Sequence, residues 1–278
     1  MIADSELERF LAEDMPYGDL TTHALGIGGK PGRMIFRARG AMVVAGAEEA
    51  ARLIVHAGGQ IGQVLPSGSA AGAGALLLEA QGPAAALLAA WKVAQTLMEA
   101  ASGIASGARA VVEAARAVNP DVVVACTRKT FPGTRAVAVK AILAGGAVPH
   151  RLGLSETVLV FPEHRAFLGD ESLSAVLARL RRSCPERKLV IEVKSEAEAC
   201  EAALSGADVV QLEKFPPDAV AALAAWFATS APGVVLAAGG GVTVANAAAY
   251  AAAGVHVLVT SAPYLAPPRD VGGEITAS

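Results

Sequence analysis

KLVIEVKSEAEACEAALSGADVVQLEKF, residues 188–215, reads as strand, helix, strand. Its two apolar runs, KLVIEV (188–193) and DVVQLE (208–213), are continuous rather than alternating, and a helix-length segment, 196–204, separates them. A strand that is apolar on both faces belongs in a parallel sheet covered by helices. The same texture recurs on either side, in VVVACT (122–127), TVLVF (157–161), GVVLAAGG (233–240) and HVLVTS (256–261). Further helix-length segments lie at 106–118, 135–144, 171–183, 217–229 and 243–252. Strands and helices alternating in this way predict an α/β barrel or a doubly wound sheet.

The residues before Gly103 read differently. A helix is expected from Ser5 to about Glu13, followed by a loop through Met15–Thr22. Residues 33–46 and 60–80 are short alternating or glycine-punctuated strand candidates, and alanine-rich helices are expected near 47–57 and 84–101. The first hundred residues are therefore expected to form an α+β unit.

Composition removes several classes. The 278 residues are 53% hydrophobic and only 18% charged, and mean hydropathy is +0.45. From Ala219 to Pro268 there is no Asp, Glu, Lys or Arg. A membrane-spanning helix needs about 20 uninterrupted apolar residues, and Pro232-Gly233, Gly239–Gly241, Asn246 and Gly254 break this stretch. The acidic N-terminus MIADSELERF carries no apolar signal core, so no export is expected. Twenty-six acids against 23 bases, without a long basic run, give no nucleic-acid footprint. Cys126, Cys184 and Cys200 are an odd set without C-x-x-C spacing, suited to a reducing cytoplasm.

Polar groups gather where the apolar strands end: Arg128-Lys129, Glu192 with Lys194, Glu213-Lys214, Gly239-Gly240-Gly241 and Thr260-Ser261. Parallel α/β folds place their active sites at the C-terminal ends of the strands. The glycine triplet before a helix near Thr243, with Thr260 and Ser261 on the next strand end, is a candidate phosphate cradle. A tight turn is the alternative for the glycines alone. No acid occurs from Val122 through Gly153, whereas Arg128, Lys129, Arg135, Lys140, His150 and Arg151 all lie there. Buried cations require an anionic partner, so this run points to an anionic substrate held through bidentate contacts. A solvated helix face is the alternative for Arg135 and Lys140. Glu192 and Glu213 could hold Mg²⁺ directly or through water, or pair internally with Lys129 and Lys194.

These motifs, in order, resemble the quinolinate phosphoribosyltransferase (nicotinate-nucleotide pyrophosphorylase) family. The resemblance is carried by Glu13-Asp14, Gly18-Asp19-Leu20-Thr21-Thr22, Ser102–Ala105, Thr127-Arg128-Lys129-Thr130, Pro132-Gly133, Gly145-Gly146 and His150-Arg151-x-Gly153-Leu154. It implies an N-terminal α+β sandwich domain over 1–105 and an open α/β barrel over 106–278, with the extreme C-terminus packing back on the first domain. It also implies a homodimer or dimer-based higher oligomer with composite sites. The implied reaction is that of a pentosyltransferase of the carboxylating nicotinate-nucleotide diphosphorylase type. Phosphoribosyl passes from phosphoribosyl pyrophosphate (PRPP) to a ring nitrogen, with Mg²⁺ and loss of pyrophosphate.

By position, Arg128, His150 and Arg151 would bind acceptor carboxylates and Lys129 would face the donor. Glu192 and Glu213 would sit at ribose and metal, and Gly239, Gly240 and Ser261 at the 5-phosphate. Lys92 stands where the family has an arginine that crosses the dimer, and Lys140 one place after a family lysine. Phe161 replaces a lysine that helps to hold quinolinate, and Ala237 replaces a glutamate. These departures resemble the ModD branch, pyrophosphorylase-like proteins associated with molybdenum transport. A rival reading is a non-catalytic binder of molybdate or a phosphorylated metabolite. A weaker one is a barrel enzyme acting on another sugar phosphate.

Overall fold

The computed structural model describes residues 2–278. Its elements are α1 (Asp4–Asp14), α2 (Leu20–Ala24), β1 (Pro31–Ala38), β2 (Met42–Val43), α3 (Ala47–His56), β3 (Gln60–Val64), β4 (Ala70–Ala71), β5 (Leu76–Pro83) and α4 (Ala84–Arg116). They continue with β6 (Val123–Cys126), α5 (Arg135–Ala144), β7 (Val148–Pro149), β8 (Val158–Val160), α6 (Pro162–Arg165), α7 (Leu173–Ser183), β9 (Leu189–Val193) and α8 (Glu196–Leu204). The last are β10 (Val209–Glu213), α9 (Pro217–Ser230), β11 (Val235–Gly239), α10 (Val244–Ala252), β12 (Val257–Thr260) and β13 (Val271–Ala277). No helix among the described residues is long and apolar enough to cross a membrane.

Two compact units emerge. One takes the chain up to Arg109 together with Thr130–Gly146 and Pro263–Ser278; the other takes Ala110–Lys129 and Ala147–Ala262. The first unit is built on an antiparallel sheet in the order β13-β1-β5-β3. Burial alternates along β1, so Met34, Phe36 and Ala38 point inward. They meet Leu53 and Ile54 of α3, Leu7 of α1 and Leu87, Ala90, Ala94 and Met98 of α4 in one core. Each fully buried large side chain there contributes about 1.5–3 kcal/mol. The C-terminal strand β13, VGGEITA, pairs along β1 from Ala38↔Val271 to Gly32↔Ala277. Its composition conceals it: two glycines and no apolar alternation read as loop.

Where the sequence predicts two helices, at 84–101 and 106–118, the structure has one of 33 residues. Gly103 does not end it. A Cβ on Gly103 would lie 2.5 Å from the Pro267 carbonyl oxygen, and one on Gly107 would lie 2.8 Å from Ala266 Cβ. These glycines let the 263–268 segment lie directly on the helix. The serines before them serve packing too. Ser102 Oγ accepts from Ala45 N at 3.0 Å, and Ser106 Oγ accepts from Val43 N at 2.9 Å.

The second unit is the expected open α/β barrel. Its parallel strands run in the order β7-β6-β12-β11-β10-β9-β8. Strands β8 to β12 are consecutive neighbours, and β12 then pairs with β6, the first strand of the series, as in a wrapped barrel. The edges β7 and β8 do not pair with each other among the described residues, which leaves the wall open. Parallel register fixes what lies side by side: Glu192 opposite Gln211, Gln211 opposite Ala237, and Glu213 opposite Gly239. Alternation places Glu192, Gln211, Glu213, Ala237 and Gly239 on one face. The other face carries the fully buried Ile191, Val193, Val210, Leu212, Leu236 and Leu258.

Candidate active site

The C-terminal ends of β6, β9, β10, β11 and β12 carry the chemistry. On β9, Glu192 is 9% exposed, and its Oε2 accepts a 2.7 Å hydrogen bond from Gln211 Nε2. Burial raises the Glu192 pKa, and the neighbouring Glu213 charge raises it further, against the opposing hydrogen bond from Gln211. The alternative of internal ion pairs is not met. Among the described residues neither Glu192 nor Glu213 lies within ion-pair distance of Lys129 or Lys194.

Glu213 leans on the glycine loop. A Cβ on Gly240 would fall 2.7 Å from Glu213 Oε1 and 2.6 Å from Lys214 Cγ, and Gly240 has φ +82°. No other residue fits there without strain. The loop is closed beneath by Lys214 N donating to Gly239 O at 2.9 Å. At its far side Asn246 Nδ2 donates to Gly241 O at 3.0 Å, while Asn246 Oδ1 accepts from Thr243 N at 2.7 Å and caps α10.

On the next strand end, Thr260 is buried and its hydroxyl donates to Val242 O at 2.7 Å. That hydroxyl also accepts from Ala262 N, so Thr260 ties the two candidate phosphate loops together. Ser261 is half-buried, and its hydroxyl meets that of Thr127, at the end of β6, at 2.5 Å. Thr127 in turn accepts from Lys129 N. The two Thr-bearing loops of the Thr-Arg-Lys-Thr and Thr-Ser motifs are thus cross-linked at the mouth of the sheet.

Beside them stands a cation cluster. Arg151 is 7% exposed, and among the described residues it meets no carboxylate; Nη1 donates to Thr157 O at 3.4 Å. Burial lowers its pKa and the Arg128 charge lowers it further. Burial lowers the His150 pKa, and the Arg151 and Arg128 charges lower it further. Both effects favour the neutral imidazole, and its backbone N–H donates to Cys126 O at 2.8 Å. Among the described residues neither Arg128 nor Arg151 has a carboxylate within ion-pair distance, so this corner of the barrel carries uncompensated positive charge.

Phe161 is not a bystander in that cluster. Its ring lies 5.9 Å from the Arg151 guanidinium carbon and stacks on His164 at 5.7 Å. His164 Nδ1 accepts from Phe161 N at 2.9 Å, which locks the ring pair. Phe161 therefore fixes the arginine and brings no charge of its own.

Two expected substrate ligands belong to the first unit. Lys92, on α4, is exposed; its ammonium lies 4.1 Å from the Trp91 ring centroid and donates to Gln95 Oε1. It lines a cavity of about 620 Å³ with Phe10, Leu97, Ile104 and Phe131. Lys140 is neither a free cation nor a solvated helix face: its ammonium is bound by Glu48 at 2.8 Å and by the buried Glu49. The structure commits its charge to these carboxylates.

Sequence reading missed Gln211. Its only signal is an amide in the middle of an otherwise apolar strand.

Among the described residues no group of three or more acidic, histidine or cysteine side chains could hold a metal alone. The Glu192–Glu213 pair nevertheless fits Mg²⁺, which binds through one or two carboxylates and completes its shell with water and substrate phosphates.

Comparison with known proteins identifies the family and the fold. The quinolinate phosphoribosyl transferase N-terminal domain model matches residues 19–102, and the C-terminal domain model matches 104–272. The chain is 54% identical to ModD of Rhodobacter capsulatus over 248 residues, covering 89% of this chain and 95% of that one. It is 35% identical to human carboxylating nicotinate-nucleotide pyrophosphorylase over 92% of this chain and 84% of the human protein. The crystal structure of NadC from Streptococcus pyogenes superposes with a TM-score of 0.91 at 25% identity, covering 99% and 96% of the two chains.

Proposed function

Since the chain belongs to the quinolinate phosphoribosyltransferase family, we propose that it transfers the 5-phosphoribosyl group of PRPP to the ring nitrogen of an anionic heterocycle. One observation carries this reading. Paired carboxylates, a glycine loop and two unneutralised arginines meet at the strand ends of one barrel. An enzyme that joins a phosphorylated sugar to an anionic base needs all three; a simple anion binder has no use for the carboxylates.

In the transfer, the bond from ribose C1 to the pyrophosphate oxygen breaks and a bond from C1 to the ring nitrogen forms. Positive charge develops on the ribose between these events, and the Glu192 and Glu213 carboxylates stabilise it. The backbone N–H groups around Gly239–Gly241 and the Ser261 hydroxyl hold the 5-phosphate. Lys129, exposed within the Thr-Arg-Lys-Thr motif, neutralises the donor's phosphates. Arg128 and Arg151 grip the acceptor carboxylate, with His150 as a hydrogen-bond donor. A bound Mg²⁺, held by Glu192 and Glu213, would supply charge neutralisation for the departing pyrophosphate.

The acceptor is proposed to be quinolinate-like without being fixed as quinolinate, because Phe161 provides an aromatic support where the family resemblance expects a cation. Likeness to the ModD branch supports a setting beside molybdenum transport. A cytoplasmic homodimer with Lys92 reaching a neighbouring site completes the proposal. The test is pyrophosphate release from PRPP and Mg²⁺ across a panel of pyridine carboxylates. Release with at least one acceptor is expected; no release with any, and no PRPP binding, would sink the proposal. Molybdate binding without PRPP binding would decide for the oxyanion-binding rival.

A further inference from the structure

Gln211 stands in the middle of β10, VVQLE, between Val210 and Leu212, and is only 5% exposed. Leucine or methionine would fill such a place without burying an amide. Its two amide ends fare differently. Nε2 donates to Glu192 Oε2 at 2.7 Å, whereas Oε1 is buried without a partner. The register explains the orphan. Gln211 has Glu192 beside it on β9 and Ala237 beside it on β11, and Ala237 offers only a methyl group. Turning the amide over would set Oε1 against the carboxylate, acceptor against acceptor. The side chain therefore keeps one good bond and leaves one acceptor unsatisfied, an arrangement that persists where a neighbour's need outweighs it.

We infer that Gln211 is a positioning residue: its amide fixes the Glu192 carboxylate, directing its other oxygen to the ribose of the donor. This rests on the phosphoribosyl-transfer reading, in which Glu192 meets that ribose. Both groups lie on the same face of adjacent parallel strands, so the bond sets the orientation of Glu192. Gln211 touches no substrate in this role; it acts through Glu192.

The experiment is a double-variant cycle on PRPP affinity, measured by calorimetry with Mg²⁺ on the full chain. The variants are Gln211→Met, Glu192→Gln and the two together, with melting temperature recorded for each. Gln211→Met is nearly isosteric and keeps the strand apolar, so the fold is retained. Loss of a hydrogen bond to a charged group predicts PRPP binding weaker by about 10-fold or more in Gln211→Met. Acting through Glu192, the change adds nothing further: the double variant binds as Glu192→Gln does. Wild-type PRPP binding with an additive cycle, or with Gln211→Met binding as wild type, overturns the positioning role alone. Wild-type protein that binds no PRPP overturns the reaction and this role together.

Discussion

Replacing Lys140 by methionine removes one ammonium from a cluster that joins α5 to α3. In the native protein that ammonium contacts Glu48 Oε2 at 2.8 Å and also the Glu49 carboxylate. Glu48 further accepts from Ser67 N at 2.8 Å and from Ser67 Oγ at 2.5 Å. Glu49 is 2% exposed, so without Lys140 it is a buried charge with no counter-ion. Breaking a buried pair from one side costs roughly 3–5 kcal/mol. The Glu48 side chain is 40% exposed and screened by water, which holds the total near the lower end, about 3 kcal/mol. For a protein of this size each kcal/mol shifts melting by about 2–4 °C, so a fall of about 6–12 °C at pH 7 is expected.

The pH dependence has a definite sign. Burial alone would raise the Glu48 pKa, but hydrogen bonds from Lys140 and Ser67 outweigh it and hold the group at about 2, against an ordinary value of 4.5. A depressed carboxylate stabilises the fold above its unfolded pKa and loses that stabilisation as pH falls toward the folded one. The gap between wild type and Lys140→Met is therefore full at pH 7 and narrows below about pH 4.5. Melting followed by circular dichroism from pH 7 to pH 3 reads both. A fall under about 3 °C at pH 7, or a gap that does not narrow in acid, would refute the structural role of this lysine. Glu49→Gln added to Lys140→Met should recover part of the loss, because it removes the stranded charge.

Three further outcomes are expected. Gly103→Ala gains about 1 kcal/mol of helix propensity, yet its methyl would sit 2.5 Å from the Pro267 carbonyl; urea denaturation should show net destabilisation of about 1–3 kcal/mol, and a stabilised variant would contradict the close contact. Gly240→Ala forces a side chain into φ +82° and against Glu213, so PRPP affinity should fall by about 10-fold or more with a modest loss of melting temperature; unchanged affinity would remove the glycine loop from the donor site. Phe161→Lys exchanges the aromatic support of Arg151 for a cation, and a gain of activity on quinolinate is expected; an intact fold with unchanged acceptor preference would count against this placement of Phe161.

The barrel was legible because a strand buried on both faces leaves an unambiguous trace. Runs such as KLVIEV and DVVQLE coincide with β9 and β10 to within a residue. Elements with few apolar side chains left little trace: β13 is glycine-rich and sends only Val271 and Ile275 to the core, and β7 is two residues long. The continuity of α4 was hidden because glycine reads as a break, while here it marks a close approach of another segment. At the site, charged strand ends announced themselves. The commitment of Lys140 did not, since its partners Glu48 and Glu49 lie about ninety residues earlier in the chain. Gln211 escaped notice because an amide in an apolar run carries no motif, and only its position beside Glu192 gives it meaning.

In the proposed function the strand-end cluster of this barrel binds a phosphoribosyl donor. Calorimetric titration of the purified protein with PRPP and Mg²⁺, run in parallel with molybdate, tests it most directly. Saturable PRPP binding that is lost in Glu213→Ala and preserved in Lys140→Met is the predicted result. Saturable molybdate binding with no PRPP binding would contradict it.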